Sequence, residues 1–167
     1  MDQYLRAFVP IGYTEEELAY AEGFKQVITA LDKEGLQNTV AQIVSKEKRQ
    51  ETLAMPVLDF VLDRRSMIGG HGSTDMGNVS WVTPVGQANI TCLAAGTALH
   101  SWQAVAQGKS SVAHKGMLTA AKVLACTGAE LLLNPNLLER VRKDWIDELD
   151  GTVYPDPLPK GLMPEIW

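Results

Sequence analysis

The sequence predicts an α/β fold in which helices pack on a small, incomplete sheet. Two long parts of the chain, within the first 50 residues and from Val112 to Leu149, place apolar residues at helical spacing. Residues 88–95, which lie between these parts, are apolar at nearly every position, as is typical of a strand covered on both faces. Because only two or three strands can be found, we expect the remaining strands of the sheet to lie elsewhere.

The region from about Thr14 to Gln50 is expected to be helical. Thr14 and Glu17 have the spacing of a capping box, and apolar residues follow at helical spacing: Leu18, Ala21, Phe24, Ile28 and Leu31. Gly35 is expected to break this pattern, and a second, more polar helix is expected after it. The carboxylates at 15–17 are interpreted as stabilising the helix dipole.

Strands are expected in the middle of the chain. Residues 57–62 could form a strand or a buried turn of helix, and periodicity alone does not decide between them. Residues 69–72 (GGHG) favour a loop. Residues 79–82 predict a short strand, and Gly96 is expected to end the strand at 88–95.

The last third of the chain is expected to be helical up to an extended tail. Residues 112–133 are so rich in apolar side chains that the predicted helix is buried on most sides, with Ser110 or Ser111 as its N-cap. Pro135 fits the first turn of the next helix, which Gly151 ends. Residues 151–167 contain four prolines and predict an extended tail.

Composition narrows the classes of function. The length of 167 residues is typical of a single domain. The net charge of −5 argues against binding to nucleic acid and against binding to a membrane through a polybasic segment. The sequence contains no run of 18 apolar residues, so no membrane-spanning helix is expected. The N-terminus lacks the basic start and apolar core of a signal peptide. Cys92 and Cys126 are expected to be buried thiols without a disulfide, with the cytoplasm as the default compartment.

His100 is the first candidate site residue. It follows the apolar strand and Gly96, at the sheet edge where open α/β folds bind ligands. A neutral imidazole at this position would serve as a metal ligand or a general base. The structural alternative is a partly buried histidine whose hydrogen bonds are satisfied.

The loop 72–75 (GSTD) is the second candidate, because it could bring Asp75 to the same edge. The alternative is a helix or turn cap, since Ser, Thr and Asp all favour such positions. His71 and Asp75 could bind a metal together, although a glycine-rich loop does not preorganise two ligands. The glycines match no phosphate-binding loop or dinucleotide fingerprint, and the cysteines lack metal-site spacing.

His114 lies near the start of the apolar helix and is followed by Lys115 and Gly116. We expect it to be a buried, hydrogen-bonded residue that fixes the start of the helix, and contact with a substrate is the alternative. Gly116 predicts close packing of this helix against another backbone.

Three motifs, in order, resemble those of one family. Residues 72–81 (GSTDMGNVSW), 96–103 (GTALHSWQ) and 111–118 (SVAHKGML) are similar to the motifs GSTDVGDVSW, GTPLHTWQ and SIAHKGML. These motifs belong to the p-aminobenzoyl-glutamate hydrolase group of metal-dependent amidohydrolases, within the aminoacylase/carboxypeptidase superfamily. The resemblance extends over essentially the whole chain.

The resemblance implies a partial three-layer α/β/α catalytic domain of the zinc-peptidase type with a two-metal site. It identifies the chain, 1–167, as the C-terminal segment of that domain. His100 matches a metal-binding histidine of the family, while Asp75, with Ser73 and Thr74, matches a loop that borders the active site. His114 matches a family histidine whose role is open. The cofactor implied is zinc or manganese, and it needs ligands that the family carries in its first half.

Three functions are open at this point. The chain could be part of an amidohydrolase that cleaves an amide bond of N-acyl or aminobenzoyl amino acids, inactive without the missing N-terminal half or a partner subunit. It could instead be a catalytically silent subunit that folds by dimerising or by docking on a partner. The third possibility is a small hydrolase that uses His71, Asp75 and His100. Apolar surface left uncovered by a missing half predicts association, including a homo-oligomer.

Overall fold

A computed structural model of the chain describes residues 1–62, 74–154, 158–159 and 161–163. These residues form helices and irregular segments and contain no strand. One 3₁₀ turn, Lys46–Lys48, precedes α4. The eight α-helices of the described residues are α1 (Asp2–Phe8), α2 (Glu15–Gln26), α3 (Ala30–Ile43), α4 (Arg49–Ala54), α5 (Met76–Ser80), α6 (Trp102–Gln107), α7 (Ser111–Leu133) and α8 (Pro135–Leu149).

The chain divides into two compact units. The first unit comprises Met1–His71 and Gln87–Glu130, and therefore contains α1 to α4, α6 and most of α7. Its buried cluster comprises Ala21, Val57, Ala94 and Val112. The second unit comprises Gly72–Gly86 and Leu131–Trp167, with α5, the end of α7 and α8.

The expected α/β fold, with its partial three-layer sheet, is wrong for the described residues. Residues 57–62 and 88–95 are non-helical and lie beside each other, but no backbone hydrogen bond joins them within the described residues. The nearest such bond runs from Ala95 N–H to Pro56 O at 2.8 Å, one residue before the first segment. A β-ladder needs such bonds repeated along both strands. Asn89 is also exposed, so 88–95 is not covered on both faces. The apolar composition of these segments is that of strands, but the neighbours that would pair with them are absent from the described residues.

The strand expected at 79–82, in the second unit, is wrong. Met76–Ser80 forms the short helix α5 instead. The indole Nε1 of Trp145 donates to Ser80 O at 2.7 Å, and the Trp81 and Tyr154 rings lie 5.9 Å apart. Two tryptophans and a tyrosine therefore hold α5 within this unit.

The N-terminal helices are confirmed, but their boundary is not. Thr14 N–H donates to Glu17 Oε2 at 2.7 Å and Glu17 N–H donates to Thr14 Oγ1 at 3.3 Å, which completes the predicted capping box. The break falls after Gln26 because a second capping box, between Thr29 and Asp32, starts α3. The expected break at Gly35 is wrong, since this residue lies inside α3.

The long apolar helix is confirmed as α7, with Ser110 Oγ accepting the Ala113 N–H at 3.1 Å. It is not buried on most sides. One face is buried through Val112, Ala113, Gly116, Thr119 and Val123, whereas other faces expose Met117, Leu118, Leu124, Leu132 and Leu133. An exposed apolar face of this kind is expected to be covered by another polypeptide surface.

By length and composition, α7 could also cross a membrane, contrary to the expectation that no helix qualifies. Only 17% of its most apolar 18-residue stretch is buried. One such helix does not establish a membrane span, because the core helices of soluble proteins meet the same criteria.

The predicted start of the last helix is confirmed, whereas the described part of the tail is not uniformly extended, because Leu162 N–H donates to Pro159 O at 3.1 Å and closes a turn. Asn134 Oδ1 accepts the Leu137 N–H at 3.2 Å, Pro135 opens α8, and the helix ends at Leu149 before the left-handed Asp150. The extended tail predicted for 151–167 lies partly outside the described residues. Both cysteines are free thiols, but each is half-buried and not fully buried as expected.

The close approach predicted at Gly116 is confirmed. A Cβ at this position would collide with Thr91 O and lie 2.7 Å from Cys92 Sγ. We expect Gly116→Ala to lower the free energy of unfolding by about 2 kcal/mol, because α7 would have to move away from backbone atoms. Urea unfolding measures the change.

Gly128 gives the matched control for this prediction, because it lies in the same helix and a Cβ there would meet no described atom within 4 Å. Gly128→Ala is expected to stabilise the chain by about 0.5–1 kcal/mol through helix propensity alone. If both substitutions stabilised it, α7 would not pack against residues 91–92 as described.

Candidate functional site

The loop 96–101 carries His100 and is held at both ends. Gly96 starts the loop with φ +83°, a left-handed conformation that favours glycine, and a Cβ there would lie 2.7 Å from Ile28 Cδ1. At the other end, Ser101 Oγ accepts the Ala104 N–H at 3.2 Å and caps α6. The motif at 96–103 therefore supplies the residues that this loop requires at its first and last positions.

A buried glutamine ties the loop to α6. Gln107 is only 1% exposed, and its Oε1 accepts the Ala94 N–H at 2.7 Å. Its Nε2 donates to Thr97 Oγ1 at 3.0 Å and to Gln103 O at 3.2 Å. We call these three hydrogen bonds the Gln107 network. Sequence reasoning missed it, because Gln107 binds the backbone groups of Ala94 and Gln103, and backbone acceptors and donors carry no signal in the sequence.

His100 is exposed on this loop, and its side chain makes no hydrogen bond to any described residue. The alternative expectation, a partly buried His100 whose hydrogen bonds are satisfied, is therefore wrong. Within the described residues no group of three His, Cys, Asp or Glu side chains could hold a metal ion. The loop thus presents one accessible imidazole, which is a single ligand and not a metal site.

The loop that ends at Asp75 is described only in part. Asp75 is exposed and precedes α5, and its side chain makes no capping bond within the described residues. Thr74 Oγ1 accepts the Met76 N–H at 3.3 Å instead. Ser73 and His71, and with them the proposed His71–Asp75 metal pair, lie outside the described residues. Asp75 belongs to the second unit and His100 to the first.

His114 is exposed, and its side chain makes no hydrogen bond within the described residues, so the expectation of a buried histidine is wrong. The next residue anchors α7. Lys115 Nζ donates to Glu17 Oε2 at 2.7 Å and to Gly12 O at 3.1 Å, and it lies 5.8 Å from the centre of the Tyr13 ring. Sequence reasoning missed this ion pair because its two partners are far apart in the chain.

The Glu17 carboxylate is stabilised in its charged form. Hydrogen bonds from Lys115, from the Thr14 N–H and from Ser111 lower the pKa of Glu17 from 4.5 to about 2. The side chain is only 10% exposed. A lowered pKa in the folded state means that this group stabilises the fold above its unfolded pKa and that the contribution is lost on acidification.

We therefore expect the urea midpoint of the chain to fall as the pH drops from 4.5 towards 2 through protonation of Glu17. Glu17→Gln should be less stable than the parent at neutral pH and nearly equal to it at the acid end. Glu16→Gln, on the same turn but exposed, should follow the parent curve. Parallel curves for Glu17→Gln and the parent would show that the Glu17–Lys115 pair does not carry the pH dependence.

A groove of about 640 Å³ lies in the first unit. One side is formed by α1, and the others by residues 58–62 and 87–91 with Thr39 and Ile43 of α3. At its edge the Asp59 carboxylate accepts the Ile11 N–H at 2.8 Å and the Gly12 N–H at 3.2 Å, which fixes the chain between α1 and α2. This groove was not predicted from the sequence.

Comparison with known proteins relates the chain to amide-bond hydrolases. It is 35% identical to one of the subunits of p-aminobenzoyl-glutamate hydrolase from Escherichia coli, referred to below as the E. coli relative. The alignment is 171 positions long and covers 98% of this chain and 35% of the E. coli relative. The chain is also 34% and 33% identical, over 88 residues, to the Xaa-Arg dipeptidases of Mus musculus and Homo sapiens. That alignment covers 53% of this chain and 20% of each dipeptidase.

The predicted resemblance to the p-aminobenzoyl-glutamate hydrolase group of amidohydrolases is therefore confirmed along nearly the whole chain. The chain spans about a third of the length of the E. coli relative and a fifth of the length of the dipeptidases. No family model matches the sequence. No solved structure matches it.

Proposed function

We propose that this chain is one part of a metal-dependent amidohydrolase that cleaves an amide bond of N-acyl or aminobenzoyl amino acids. The observation that carries the proposal is the 35% identity to the E. coli relative, a p-aminobenzoyl-glutamate hydrolase component, along 98% of the chain. The similarity to two dipeptidases supports the same broad reaction, hydrolysis of an amide bond.

In this proposal His100 supplies one ligand to a zinc or manganese ion, Asp75 and its neighbours border the site, and His114 is available to a substrate. The accessible imidazole supports the first role. Catalytic zinc sites use about three protein ligands, and the described residues offer no such group. They do not fit a metal by themselves, so the remaining ligands have to come from outside the described part of the chain.

Within such a site, the part played by this chain is to position His100. The Gln107 network and Gly96 fix the backbone that carries the imidazole. A fixed ligand backbone is one part of the preorganisation on which metal affinity depends. Either the rest of a longer chain or a partner subunit would complete the site.

The test combines this chain with the part of the E. coli relative that lies outside the matched segment, by co-expression. We expect bound zinc or manganese and hydrolysis of p-aminobenzoyl-glutamate in the combined preparation, and little of either with this chain alone. Metal content is measured by elemental analysis and turnover by release of p-aminobenzoate.

Two outcomes would overturn the proposal. Nearly stoichiometric metal with turnover by the isolated chain would make it a minimal enzyme that needs no partner. A folded complex with neither metal nor turnover would favour a catalytically silent subunit.

A further inference from the structure

We propose that Trp102 is a specificity-determining residue of the hydrolase, because its indole provides a flat surface on which an aromatic acyl group of the substrate stacks. This inference rests on the proposed function and deepens it, since it selects aromatic acyl groups such as p-aminobenzoyl over aliphatic ones. Trp102 lies in the motif at 96–103, two residues after the proposed ligand His100, and the Gln107 network does not use its side chain.

The first support is the exposure of Trp102. It is 65% exposed at the first position of α6, whereas Gln103 and Gln107 of the same helix are buried. An indole carries a large apolar surface, and tryptophan is among the most buried residues on average. The described part of the chain therefore leaves most of this surface available to a ligand.

The second support is an aromatic cluster that contacts the indole from α2. The centre of the Phe24 ring lies 6.1 Å from that of Trp102, and the Tyr20 ring lies 5.1 Å from the Phe24 ring. The two pairs are tilted by 51° and 61°, which is within the range of favourable aromatic contacts. The Tyr20 hydroxyl also donates to Ala106 O of α6 at 3.5 Å. Trp102 is thus supported on one side, so less side-chain entropy is lost when a ligand stacks on it.

The third support is the short distance to His100. Two residues of chain span at most about 7 Å, so the Cα atoms of His100 and Trp102 lie within that distance of each other. In p-aminobenzoyl-glutamate the ring is bonded directly to the carbonyl carbon of the amide that is cleaved. A substrate whose amide reaches the site of His100 therefore brings its ring close to the indole, while the glutamate lies on the other side of the cleaved bond.

An arginine side chain is the competing occupant, because a guanidinium group also stacks on tryptophan. The Xaa-Arg dipeptidases make this alternative concrete, but their alignment covers only 53% of this chain. The alignment with the E. coli relative, a p-aminobenzoyl-glutamate hydrolase component, covers 98%. The aromatic acyl group is therefore the occupant that the comparison favours.

Steady-state kinetics of the complex formed by co-expression test this assignment. The two main substrates, p-aminobenzoyl-glutamate and N-acetyl-glutamate, share the glutamate and differ in the acyl group. We expect Trp102→Ala to lower kcat/KM about tenfold for p-aminobenzoyl-glutamate and less than about twofold for N-acetyl-glutamate, because only the aromatic group stacks on the indole. The metal content should equal that of the parent complex.

Matched variants separate stacking from general apolar contact. Trp102→Phe keeps an aromatic ring and should retain most of the selectivity, whereas Trp102→Leu should behave like Trp102→Ala. Val105→Ala is the control for exposed apolar surface, because Val105 lies on the same helix and is 81% exposed. Equilibrium dialysis with p-aminobenzoate measures binding without turnover, and its Kd should rise about tenfold in Trp102→Ala but not in Val105→Ala.

The outcomes distinguish this inference from the proposed function. Hydrolysis of p-aminobenzoyl-glutamate with an unchanged ratio of the two kcat/KM values in Trp102→Ala would overturn the role of Trp102 and keep the function. A complex that binds p-aminobenzoate through Trp102 without hydrolysis would support the stacking surface and count against the function. An equal loss for both substrates would assign Trp102 to folding or assembly, and a loss confined to alanyl-arginine would identify a guanidinium as the occupant; either result would overturn the inference.

Discussion

If this chain is part of the proposed metal-dependent hydrolase, replacing His100 with alanine should remove most of the metal from the complex and lower kcat/KM for p-aminobenzoyl-glutamate by more than about a hundredfold. Loss of a residue that only supports a metal ligand typically costs ten- to a hundredfold, and loss of the ligand itself should cost at least as much. The readouts are metal per complex by elemental analysis and the rate of hydrolysis.

The same substitution should leave the folded chain nearly unchanged. His100 is exposed and its side chain makes no hydrogen bond to the described residues, so no packing or pairing within them depends on it. Leu99→Ala is the matched control, because Leu99 is the preceding residue on the same loop and is 78% exposed. If His100→Ala retained full metal and activity, His100 would not be a ligand, whatever the motif suggests.

Local signals in the sequence predicted the helices well. The Thr14 capping box and the position of Pro135 depend on residues three or four apart, and such short-range patterns act before any tertiary contact forms. Gly35 misled the prediction because a competing cap at Thr29 was overlooked. At Gly116 the prediction of close packing succeeded, but a helical glycine alone does not ensure it, because Gly35 and Gly128 also lie within helices and a Cβ there would meet no described atom within 4 Å.

The strands could not be predicted correctly because a strand is defined by its neighbours. Residues 88–95 have the composition of a buried strand, yet the described part of the chain provides no ladder for them. The candidate site shows the same division between local and long-range information. Sequence reasoning selected His100 as a candidate from its place after an apolar segment and then from its motif, but it missed Lys115 and Gln107, whose partners Glu17 and Ala94 are separated from them in the chain.

Gln107→Leu is expected to be the most destabilising of the substitutions considered, lowering the free energy of unfolding by about 3 kcal/mol. Leucine has a similar volume, so the loss comes from the three hydrogen bonds of the network. The Ala94 N–H would stay buried without a partner, and an unsatisfied buried donor costs about 1–3 kcal/mol in addition to the lost bonds. Urea unfolding followed by circular dichroism measures the change.

Gln37→Leu makes the same chemical change on an exposed position of α3 and should alter the free energy of unfolding by no more than about 0.5 kcal/mol. Because Thr97 lies in the loop that carries His100, Gln107→Leu should also speed hydrogen exchange of the amides at 97–101 while α8 is unaffected. A stable Gln107→Leu chain with a well-protected loop would mean that Gly96 and the Ser101 cap position His100 without the glutamine. A destabilised chain with a mobile loop would instead make this buried amide the group on which the geometry of the proposed ligand depends.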